Sequence, residues 1–132
     1  MTADTVESVL EEIAASHPVL VKSLGELRDE WEPDLPPPVV AMGSLGTALG
    51  SAINEVTDAQ ARSLMRVVEQ ALVDGTESVR NIVATGFLEA LVGSAGASPE
   101  ASRLFGHLGP RARKYCQDWD TFTGCRTPGV WG

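Results

Sequence analysis

Ala61, Leu64, Met65, Val68 and Leu72 recur at spacings of three and four. That interval is the pitch of one helix face. The same spacing returns in segment after segment, and no run alternates apolar and polar residues as a half-buried strand must. The chain is therefore expected to be all-α, a compact bundle or a short solenoid-like stack of about six to seven helices. A hydrophobic share of 43% in 132 residues suffices for the core of one domain spanning 1–132. No apolar run approaches the ~20 residues of a membrane helix. The N-terminus, MTADTVESVLEEIAASH, lacks the basic and then apolar pattern of a secretory leader. Two cysteines, Cys116 and Cys125, are too few for a disulfide framework. A cytoplasmic protein with reduced thiols is expected.

Punctuation divides the stripes. Val6, Val9, Leu10 and Ile13 form the first, and Asp4 with Glu7 resembles its capping box. Pro18 ends that helix or begins the next, whose stripe is Leu20, Leu24, Leu27 and Trp31, with Gly25 a weak point inside it. Glu32–Pro38, EPDLPPP, cannot be helix interior and reads as a stiff extended connector. A third helix follows over Val39–Glu55. Its glycines, Gly43, Gly46 and Gly50, predict close approach of a neighbouring helix; GSLGTALG lacks the Lys-Ser/Thr of a phosphate loop. Thr57 and Gln60 form a capping box for the fourth helix, and Gly75 stops it as a C′ glycine. The fifth runs from Thr76 to about Val92, with Leu88 off the main face, which predicts burial on two sides and a central position. Ser98 and Pro99 open a short sixth helix ending in Leu104, Phe105 and Leu108.

The last helix follows Gly109, where glycine lets the chain turn, and Pro110, which starts it. Tyr115, Trp119 and Phe122 fall at i, i+4 and i+7, so they are expected to form the core side of this helix, against Phe87 and Leu91. Cys116 is expected near that face, Asp118 and Asp120 towards solvent, and Arg111, Arg113 and Lys114 as a solvated basic turn. On this reading Trp119→Ala lowers the melting temperature sharply and Arg113→Ala changes it little. Residues 125–132 read as a short tail.

No site chemistry stands out. His17, His107, Cys116 and Cys125 match no zinc spacing, so no metal and no cofactor are expected. There is no Gly-x-Ser-x-Gly elbow. Glu69 and Glu89 lie in adjacent helices and could face one another as an acid/base pair, and Cys116 is a second candidate; this is the weaker, enzymatic alternative. Charge says more. The net charge is −8, and residues 1–35 hold nine acids against two bases, a local −7. An acidic surface repels nucleic acid and anionic lipid and attracts basic partners. Partner-binding is expected at Glu26, Asp29, Glu30, Trp31, Glu32 and Asp34.

VVEQALVDGTESVRNIVATGFLEAL, followed by LGPRARKYCQDWDTFTG, resembles a family of small all-helical bacterial proteins. The likeness rests on Glu69, Leu72, Gly75, Gly86 to Glu89, Leu108 to Pro110, Arg113, Tyr115, Trp119 and Phe122, in roughly the C-terminal half. The resemblance implies a cytosolic immunity protein of a polymorphic-toxin or contact-dependent competition system, and it carries no catalytic residues. The expected function is thus non-catalytic: neutralising a cognate toxin with a basic surface by occlusion, as a monomer or weak homo-oligomer. The alternative is a helical scaffold or homo-oligomer subunit contacting through the glycine-rich third helix.

Overall fold

Most of the stripes pack against one another in the computed structural model, which describes residues 5–131. Eight α-helical segments form seven rods: α1 (Val6–Ala15), α2 (Pro18–Trp31), α3 (Pro38–Ser51), α4 (Asp58–Asp74), α5 (Glu77–Asn81), α6 (Glu89–Ala95), α7 (Ala101–Phe105) and α8 (Pro110–Thr123). A π-helical stretch, Ile82–Leu88, joins α5 to α6 without a break. No strand occurs among the described residues, so the fold is all-α. One continuous cluster, from Val9 through Leu45, Leu64, Phe87 and Phe105 to Val130, forms the core.

The starts follow side-chain chemistry. Asp4 lies outside the described residues; Thr5 caps α1, its hydroxyl accepting from Ser8 N–H at 3.1 Å. Pro18 begins α2, and its cap is His17, whose Nδ1 accepts from Val19 N–H at 3.0 Å while Nε2 bonds the Glu55 carbonyl. The Thr57–Gln60 capping box is formed in both directions. The connector ends one residue earlier than expected, because Pro38 occupies the first turn of α3, where no N–H is needed. The sixth helix starts later than expected: the Ser98 hydroxyl accepts from Glu100 N–H and holds residues 98–100 as a turn before α7.

The α5–π–α6 rod is central, packing on α3, α4 and α8. The π turn adds a residue to the helical register, which brings the adjacent Phe87 and Leu88 both into the core. Two α3 glycines meet this rod. A Cβ at Gly46 would stand 2.5 Å from the Phe87 carbonyl oxygen and 2.9 Å from Ala90 Cβ. One at Gly50 would collide with Ser94, whose hydroxyl donates to the Thr47 carbonyl at 3.0 Å. The glycine face is therefore filled by the chain's own helix.

The last helix corrects several expectations. Its buried positions are Ala112, Cys116 and Asp120, and the aromatic stripe lies roughly a quarter-turn away at about 100° per residue. Tyr115 and Trp119 sit at the edge of the core, and Phe122 is 80% exposed, stacked obliquely on Trp119 instead of buried. Asp118 is exposed as expected, but Asp120 is fully buried. It accepts from Thr127 N–H (2.7 Å), the Thr127 hydroxyl (2.8 Å) and Trp131 Nε1–H (2.9 Å). Residues 125–131 thus fold back as a clasp, with Val130 in the core. Arg113 completes the clasp and is not a solvated charge. Its guanidinium donates to the Gly129 and Val130 carbonyls and to those of Phe105, Gly106 and Leu108.

Candidate functional site

The chain turns from α2 into α3 at an exposed corner, and every residue proposed for partner binding lies on it. Glu26, Asp29 and Glu30 project from the last turns of α2, and Trp31 ends it. Glu32 and Asp34 follow in the connector, also exposed. The corner forms for a local reason. The α2 stripe reaches the core only at Leu20 and Leu24 and partly at Leu27. By Trp31 the helix has run past its neighbours, and the prolines prevent it from continuing.

Charge there is uncompensated. Arg28 turns inward to α1 and pairs with Glu7 at 3.2 Å and Glu11 at 2.6 Å. Glu26, Asp29, Glu30, Glu32 and Asp34 make no ion pair among the described residues. The acids surround apolar surface. Trp31 is 39% exposed and Leu35 70%, and Val39 and Val40, in the first turn of α3, are exposed as well. A shallow groove of about 380 Å³ runs beside the corner between α2 and α3, lined by Val19, Lys22, Glu26, Leu27, Glu30 and Ser44. Sequence reasoning chose the acids and Trp31 but missed Leu35, Val39 and Val40. The signal was present: a leucine between prolines cannot share a helical stripe, and two valines just after a proline run start a helix before its core face is established.

The other candidates separate. Glu69 and Glu89 do not form a facing pair, since each is engaged by a different part of α8. The Glu69 carboxylate accepts from Arg111 N–H and Ala112 N–H, both at 3.0 Å, and so caps α8 from a neighbouring helix. This also explains Gly109: its φ of −75° is ordinary, but a Cβ would stand 2.5 to 2.6 Å from Glu69 side-chain atoms. Close approach, and not a turn, requires glycine here. The same holds for Gly75, whose φ of −70° is not left-handed and whose Cβ would meet Val79 Cγ1 at 2.7 Å. Glu89 accepts from the Tyr115 hydroxyl. Burial, then this hydrogen bond, holds the Tyr115 phenol above its ordinary range. Cys116 is buried and Cys125 exposed, both as free thiols, and burial pushes the Cys116 thiol up to about 12. Among the described residues, no three His, Cys, Asp or Glu side chains converge as a metal site. No helix there is long and apolar enough to cross a membrane.

Fold and corner together define a small all-helical protein whose most exposed chemistry is an acidic patch with an apolar centre. The chain belongs to the family described as a domain of unknown function (DUF7674), whose model matches residues 10–124. No curated protein and no solved structure gives a significant match.

Proposed function

We propose that this protein is a non-catalytic binding protein that neutralises a cognate bacterial toxin by covering a basic surface with its α2–α3 corner. The observation that carries the reading is the corner itself, where five acids without ion-pair partners among the described residues flank the exposed Trp31 and Leu35. Unpaired acids accelerate encounter with a basic surface, and a central aromatic supplies the desolvated contact that slows release. The wide separation of roles for Glu69 and Glu89, one a helix cap and the other a partner of Tyr115, favours binding over the enzymatic alternative.

Co-expression with the toxin encoded beside this gene tests the proposal. Growth should be rescued, a complex should form at low salt, and its affinity should fall as salt rises. Trp31→Ala should weaken the complex at least tenfold, or about 1.4 kcal/mol. Persistent toxicity with no complex at low salt would remove the reading.

A further inference from the structure

We propose that the cavity between α6, α8 and the clasp binds a small zwitterion with an apolar body, the chemistry shared by a free apolar amino acid and a short apolar peptide. The cavity holds about 470 Å³, within the range of ~300–1,000 Å³ in which small-molecule sites fall. Val92 and Trp119 give it apolar walls, and Glu89 and Arg126 line it as well.

These two charges do not neutralise each other. No ion pair joins Glu89 to Arg126 within 4.0 Å among the described residues. One Glu89 oxygen accepts from the Tyr115 hydroxyl, which fixes the carboxylate, and no described group donates to the other. Arg126 lies over the Trp131 ring at 4.9 Å and pairs with no carboxylate among the described residues. Opposite charges in one recess, each anchored to an aromatic residue instead of to its counterpart, present an acceptor for an ammonium and a donor pair for a carboxylate.

Gly93 is the second observation. It lines the cavity in the middle of α6, where glycine weakens a helix. Unlike Gly46 and Gly50, it is not required by packing: a Cβ there would meet no atom within 4 Å. Gly93 is itself exposed, and its missing side chain leaves this wall of the groove open to solvent.

Calorimetric titration of the full chain with L-leucine and with the dipeptide Leu-Leu tests this, and the tighter of the two identifies the source. Saturable binding is expected. N-acetyl-leucine, without the ammonium, and leucinamide, without the carboxylate, should each bind at least tenfold more weakly. Glu89→Gln and Arg126→Ala should each weaken the zwitterion by a similar factor. Gly93→Leu should abolish binding without lowering the melting temperature of the unliganded protein, so that misfolding is separated from a filled cavity. Absence of saturable heat for both probes at about 10 mM would overturn the proposal. So would binding that Gly93→Leu leaves intact, or equal binding of N-acetyl-leucine.

Discussion

A guanidinium carries five N–H donors fixed in one plane, and Arg113 directs its two terminal nitrogens at carbonyls of two separate segments. Arg113→Ala should therefore destabilise the protein by about 3 kcal/mol, roughly 10 °C in Tm. Arg113→Lys should recover little, because one ammonium cannot span both segments. Thermal melts of the two variants check this. The thiols differ as sharply. Native alkylation followed by mass spectrometry should modify Cys125 and spare Cys116 until unfolding. The Cys116 thiol also sets a pH limit. Its value rises from 9.0 to about 12, chiefly through burial, with the Asp120 carboxylate adding and Arg113 opposing. Above pH 9 the unfolded chain releases a proton that the native state retains. This contribution is thus fully present below about pH 9 and is lost progressively towards about 12. Tyr115, also held above its usual range, adds to the same decline. Denaturation midpoints across that window should fall less steeply for Cys116→Ala than for the parent chain.

Between elements, two glycines make opposite predictions. Gly46→Ala forces a Cβ onto the Phe87 carbonyl and should cost about 2 kcal/mol or more as α3 and the central rod separate. Gly25→Ala meets nothing within 4 Å inside α2 and should add about 1 kcal/mol. Urea titrations of the two variants, with midpoints moving in opposite directions, test the seam. Periodicity made the rods, the Thr57 cap and the close approach to α3 legible in the sequence, because each depends on residues within a few turns or on the absence of a side chain. It did not predict which face of α8 is buried. Tyr115, Trp119 and Phe122 share a helical stripe, yet the deepest position belongs to Asp120, whose burial depends on donors seven and eleven residues further along. A carboxylate with three donors can lie in a core, and an aromatic past the rim of its neighbours stays exposed. Phe122→Ala should accordingly change stability by no more than about 0.5 kcal/mol, while Trp119→Ala, packed at the core edge, should lower it measurably.

At the scale of the whole molecule, acidity collects at the α2–α3 corner, and residues 125–131 close the core around Asp120. The α2–α3 corner was legible in the sequence as charge and Trp31; Leu35 was signalled only by its flanking prolines, and its degree of exposure follows from how α2 and α3 meet. The clasp was invisible for a similar reason: CRTPGVWG has no periodicity, and its place is set by Asp120 and Arg113. Cutting the chain after Gly124 should leave a buried carboxylate without its donors and unfold the protein at 37 °C, as circular dichroism would show. All eight helices precede Thr127 and Trp131 in the chain, so a chain cut after residue 124 keeps every rod but cannot close around Asp120. A protease that cuts just after residue 124 would therefore leave a full complement of helices around an unsatisfied Asp120 carboxylate.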